Sequence, residues 1–152
     1  MSRYIQLFLT GIFFTFILDF FLFLGIKLHY IDPLGFRLYY NVLFADNQNF
    51  LLFLAFSFFI GWLLYFTKNA IRIPLLLIFF SLALSTLVPS VGKKIGEILF
   101  LKPNVTLHDK KFTFHGDIYY IGREKVLFYD YDLKKMIELD KKSLKEKIDE
   151  LY

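Results

Sequence analysis

A chain of 152 residues that is 57% hydrophobic and holds 21 Phe exceeds the roughly 45–50% apolar content of a water-soluble domain, so the surplus needs a lipid-facing home. The net charge of +4 does not make a nucleic-acid binder: only Arg3, Lys27, Arg37, Lys68 and Arg72 of the 18 Lys and Arg precede Val91, and the tail that carries the rest also carries eleven of the 14 acids. No Cys is present, which removes disulfides, iron–sulfur clusters, thiol nucleophiles and thiolate zinc sites.

Residues 4–26 form an apolar run interrupted only by Asp19. A secretory signal has a shorter apolar region, about 7–15 residues, ending at a small-residue cleavage site. This run is longer and meets no Ala-x-Ala, so it predicts a retained transmembrane helix. In the connector 27–49, Asp32-Pro33 has the look of an N-cap and a first-turn proline. Phe36, Tyr39, Tyr40 and Leu43 then recur at spacings of three and four, which suits an amphipathic helix over 33–45 at the membrane surface, with Tyr39 and Tyr40 at headgroup level. An irregular loop is the alternative, since Gly35 interrupts the pattern.

Residues 50–66 and 73–91 carry no charge and are separated by the basic connector Lys68-Asn69-Ala70-Ile71-Arg72. At ~1.5 Å per residue, helices of this length cover most of a ~30 Å hydrocarbon core. They predict a transmembrane hairpin about which the chain is organised, with Trp62, Tyr65 and Lys68 as interfacial anchors. Pro74 falls in the first turn of the second arm and Pro89 in its last. Ser81, Ser85 and Thr86 give that arm a small, mildly polar stripe of the kind that lets helices approach closely in lipid. Residues 92–101 suit a short amphipathic exit helix, with Lys93 and Lys94 at the headgroups. Its Gly92-x-x-x-Gly96 spacing matches, weakly, a helix-dimer motif.

From Val105 the periodicity changes to two. A tight turn at Asp109-Lys110 would pair Leu107 with Phe112 and Val105 with Phe114, placing four apolar residues on one face. Further strands are expected at 118–121, 126–129 and 136–139, in an antiparallel meander or a small SH3-like barrel. Ser143 and Glu146 make a capping-box pattern that predicts a terminal helix over 143–152. The fold class is therefore an integral membrane protein, mainly α, with three transmembrane helices and a small β-rich domain at 102–152.

Asp19 is the sharpest chemical feature. A carboxylate at a helix centre costs ~2.5–3.5 kcal/mol on insertion scales, so it needs protein, water or a proton. Thr15, one turn earlier, is placed to donate a hydrogen bond to it. Asp19, Thr15, Ser81, Ser85 and Thr86 are the candidate partner-contact residues. The register above sets His108 against Lys111 and His115 against Asn104, too far apart for shared coordination at ~2.0–2.1 Å, and His29 stands in a loop. No catalytic, cofactor or metal site is expected, and no phosphate-binding, metalloprotease or serine-hydrolase motif is present. These features point to a non-enzymatic accessory, assembly or stabilising subunit of a larger bacterial inner-membrane complex. It would contact lipid and another integral membrane protein, with a homo-oligomeric channel or transporter using Asp19 as the alternative. Lys27, Arg37, Lys93, Lys94 and Lys102 outnumber Arg3, Lys68 and Arg72, which favours a cytoplasmic tail.

Overall fold

The computed structural model describes residues 2–109 and 112–144. Five α-helices come first: α1 (Arg3–Ile26), α2 (Tyr40–Asn47), α3 (Phe50–Phe66), α4 (Asn69–Ser85) and α5 (Pro89–Phe100). Four strands follow: β1 (Lys102–His108), β2 (Thr113–Ile121), β3 (Lys125–Asp130) and β4 (Lys135–Asp140). They make one antiparallel sheet in the order β1-β2-β3-β4. It is the open meander of the two forms expected. The terminal helix over 143–152 falls mostly outside the described residues; Lys141–Ser143 is a 3-10 turn.

The organising element is α1, and not the α3/α4 hairpin. α3 and α4 both pack along it, with Leu18, Ile60 and Ala83 buried where the three meet. Phe56 and Phe59 of α3 also meet Phe79 of α4 edge to face. The two ends of the bundle are marked by different contacts. At one, the Arg3 guanidinium lies 5.6 Å from the Phe66 ring centre; at the other, the Thr86 hydroxyl approaches Phe21 O at 3.1 Å. α3 therefore runs antiparallel to α1, and α4 parallel to it.

α1 does not stop at 26. A π-helical turn, Lys27–Ile31, and a 3-10 turn, Asp32–Leu34, carry it to Gly35, whose φ of +73° provides the left-handed exit that favours glycine. Nothing at 27 breaks a helix, and Ile26, Tyr30 and Ile31 are all buried. Asp32 caps nothing; its carboxylate pairs with Lys27 Nζ at 2.6 Å. The surface helix expected over 33–45 consequently starts only at Tyr40. Arg3–Leu34 is long and apolar enough to cross a membrane.

α2 meets α3 at 88°, and α4 meets α5 at 87°. α4 runs from 69 to 85, so Pro74 sits inside it and not in its first turn, while Pro89 opens α5. A Cβ on Gly92 would lie 2.3 Å from Thr86 O, and one on Gly96 2.3 Å from the Tyr30 ring. The Gly92-x-x-x-Gly96 spacing thus packs α5 against the end of the first helix within the chain. Phe23, Ile26, Tyr30, Ile31, Leu43, Phe100, Tyr120 and Leu127 form the resulting core, joining α1, α2 and α5 to one face of the sheet. Leu107, Ile118, Val126 and Phe128 form a second core on the other face.

The first hairpin pairs Leu107 with Phe114 and Val105 with Gly116, two residues away from the expected register. Asp109 N donates to Phe112 O at 2.8 Å, so the hairpin closes across 110–111, one position beyond the expected turn at Asp109-Lys110. A slip of two keeps every side chain on its expected face, but Phe112 leaves the ladder and is exposed.

Candidate functional site

Where α1, the α2–α3 junction, α5 and the β2–β3 turn converge there is an open cleft of about 1130 Å³. α1 contributes Thr15, Asp19, Leu22 and Phe23, and the junction contributes Asp46, Asn47, Gln48 and Asn49. Leu52, Phe53 and Phe56 of α3 and Leu99 and Phe100 of α5 make apolar walls. Ile121, Gly122 and Arg123 close it from the sheet, with Lys141 beside them.

The polar residues reach the cleft for local reasons. α2 ends at Asn47 and α3 begins at Phe50, so Gln48 and Asn49 take extended backbone at a right-angled corner. Asn49 caps α3, its Oδ1 accepting Leu52 N at 3.1 Å. Gln48 is thereby aimed back at α1, where its Nε2 donates to Asp19 Oδ2 at 3.0 Å. Asn47 Nδ2 donates to Leu43 O at 2.8 Å and to the Tyr120 hydroxyl at 3.3 Å. Arg123 reaches across from the β2–β3 turn and donates through Nε to Asp46 Oδ1 at 2.5 Å. Three buried atoms of this set lack a hydrogen-bond partner within the protein: Thr15 Oγ1, Asp46 Oδ2 and Gln48 Oε1.

Of the expected contact residues, the structure brings only Thr15 and Asp19 to this cleft. They are not bonded to each other: Asp19 takes its bond from Gln48, and the Thr15 hydroxyl, buried beside α3, takes none within the protein. Thr86 is buried with its hydroxyl 2.7 Å from Ala83 O. Ser85 donates back to Leu82 O at 2.7 Å, and Ser81 lies exposed on α4. Tyr39 is largely exposed, whereas the Tyr40 hydroxyl donates to Phe20 O at 3.2 Å. Trp62 stacks on Phe59 with Tyr65 half-buried nearby, and Lys68 is exposed just before α4. Lys93 lies 3.8 Å from Glu97 and Lys94 is exposed. His108 stands opposite Thr113 and His115 opposite Thr106, with Thr106 Oγ1 2.9 Å from His115 Nδ1. Among the described residues, no cluster of His, Asp and Glu could hold a metal ion.

Sequence reasoning passed over Asp46, Asn47, Gln48, Arg123 and Lys141. A signal existed for the first three: four polar residues in a row stand directly before a charge-free helix. Arg123 lies 77 residues from Asp46 and has no such signal. The arrangement offers hydrogen-bond acceptors at the mouth of an apolar slot, which suits binding. No protein-family model, curated protein or solved structure matches the chain.

Proposed function

We propose that the chain is a three-span membrane protein acting without chemistry of its own, as an accessory, assembly or stabilising subunit of a larger membrane complex. In this reading α1, α3 and α4 cross the bilayer, with α2 and α5 lying along its surface beside the sheet. The right-angled bends support this, as does the apolar outer surface, where Leu51, Phe58, Leu77 and Leu82 are all more than half exposed. The excess of Lys27, Arg37, Lys93, Lys94 and Lys102 on the sheet side supports a cytoplasmic sheet.

The observation that carries the partner role is the open face of α4. Ala83 is its one buried residue, and Leu77, Ile78, Ser81 and Leu82 face outward. Apolar residues there are content with lipid, but a small hydroxyl-bearing residue among them permits close approach of another helix and a hydrogen bond to it. The test is a mild-detergent pull-down of the tagged chain from its native membranes, read by mass spectrometry. One stoichiometric integral membrane protein, lost with Ser81→Leu, supports the role. Recovery of the chain alone, or of a partner indifferent to Ser81→Leu, overturns it.

A further inference from the structure

We infer that the cleft between α1, the α2–α3 junction and the β2–β3 turn binds one phospholipid with a primary-ammonium headgroup, of the phosphatidylethanolamine class. The inference rests on the membrane reading above, because the cleft must meet the bilayer edge. Its position fits: Asp19 precedes Tyr30 by eleven residues, about 16 Å of helix, and Tyr30 is seated against the sheet, its hydroxyl donating to Tyr119 O at 2.8 Å. The cleft thus lies where apolar helices give way to a polar sheet.

The polar atoms define what the ligand brings. Asp46 Oδ2 and Gln48 Oε1 accept hydrogen bonds and cannot donate them, and both are buried without a partner in the protein. The carboxylate of Asp19 lines the same cleft, held by the other end of the Gln48 amide. The Thr15 hydroxyl, 1% exposed, completes the inner end. A ligand with several N–H donors and a positive charge satisfies all of these. Arg123 and Lys141, at the sheet side of the cleft, supply the opposite charge for a phosphate. A zwitterion with ammonium and phosphate a few bonds apart matches that order of groups.

Two neighbouring lipid chemistries fit less well. A trimethylammonium headgroup carries the same charge and offers no N–H, so Asp46 Oδ2 and Gln48 Oε1 would stay unmet. A glycerol headgroup offers O–H donors but brings a net negative charge toward Asp19 and Asp46. The acyl chains have their own surface, since Leu22, Leu52, Phe53 and Leu99 line the cleft and Leu52 is 68% exposed.

The test uses the full chain purified in detergent, with bound lipid counted by native mass spectrometry. Phosphatidylethanolamine, phosphatidylcholine, phosphatidylglycerol and free phosphoethanolamine are compared. The expected result is phosphatidylethanolamine bound one to one, at least about tenfold more tightly than the other three, equivalent to ~1.4 kcal/mol. Asp19→Asn and Gln48→Leu, each checked for native circular dichroism, should bring its affinity down to that of phosphatidylcholine. Equal binding of phosphatidylcholine or phosphatidylglycerol to the unmodified chain overturns the inference whatever the variants do. Equally tight binding of free phosphoethanolamine overturns it too, since the apolar walls would then contribute nothing. A chain that stays folded in the supernatant without detergent would sink the membrane reading itself, a separate result from loss of lipid selectivity.

Discussion

Along its first half α1 meets α3 through residues without bulk; along its second half it meets α2 and the sheet mainly through aromatic rings, with the glycines of α5 letting that helix close over them. A Cβ added to Gly11 would lie 1.9 Å from Ser57 O, and one on Gly61 2.3 Å from Leu7 O, so the two backbones nearly touch. At the other end Tyr30 stacks between Phe100 and Tyr119 at centroid separations of 6.1 and 6.4 Å, while Phe100 meets Tyr120 edge to face. The difference follows from the solvent each end is proposed to meet. Lipid gives apolar side chains no reason to leave it, so helices in it associate by close van der Waals contact over small residues. Water drives large apolar surfaces together, and ring burial is then the stronger device.

The comparison is broken most directly by giving the first half bulk. Gly11→Val places side-chain atoms where Ser57 O now stands, and neither backbone can yield without separating α1 from α3. A loss of about 3 kcal/mol is expected, at the upper end for overpacking, read as reduced resistance to denaturant in detergent micelles. A variant as stable as the parent would mean that the close approach is not what joins the helices. The second half should respond to removal of bulk. Tyr30→Ala should cost ~3–5 kcal/mol, as for other large core rings, and loosen the sheet, seen as faster amide exchange in β2. Tyr30→Phe keeps the ring and removes the bond to Tyr119 O, for ~0.5–1.5 kcal/mol. If the two substitutions cost the same, the hydrogen bond and not the rings holds this end.

That contrast also accounts for what could be read from the residues. Charge-free runs and the change to a period of two were visible, and α3, β1, β3 and β4 lie close to where those patterns put them, whereas the second hairpin arm and the strand expected at 118–121 run together as β2. The end of the first helix was not, because Lys27 and Asp32 look like a boundary and become an ion pair on a continuing helix only once Tyr30 has a sheet to enter. The hairpin register missed by two because apolar alternation fixes the face and not the step, and a turn without Gly leaves its position open. Half of the cleft was visible as Thr15 and Asp19. The other half depends on the α2–α3 corner and on Arg123, which only tertiary contact brings together.

The smallest expected effect lies near Tyr119, where a polar anchor replaces packing. The Tyr131 hydroxyl donates to Asp117 Oδ1, which also accepts the backbone N–H of Asn104 at 2.9 Å, holding that residue at a φ of +57° in the bulge of β1. The bond to Asp117, then desolvation, then the negative charge of Asp117 raise the Tyr131 phenol above its ordinary 10.0, with the Asn104 backbone acting in the opposite sense. A raised folded pKa means that the bond stabilises fully below the unfolded value, near 10, and is lost as pH climbs through the folded one. Tyr119 shifts the same way, chiefly by desolvation and then by the charge of Asp117. The sheet should therefore hold its thermal midpoint between about pH 7 and 9 as far as these groups are concerned, and lose it above about pH 10. Tyr131→Phe should lower the neutral-pH midpoint slightly and make the alkaline fall shallower, since one late-titrating phenol is gone while Tyr119 and Tyr40, the latter pushed up to about 12 chiefly by burial, remain. In a tyrosinate absorbance titration of all ten tyrosines, the variant should lose amplitude from the late phase and not from the early one. An alkaline slope unchanged by Tyr131→Phe would show that the Asp117 bond contributes nothing to the fold, and would leave Asn104 held by the strand pairing alone.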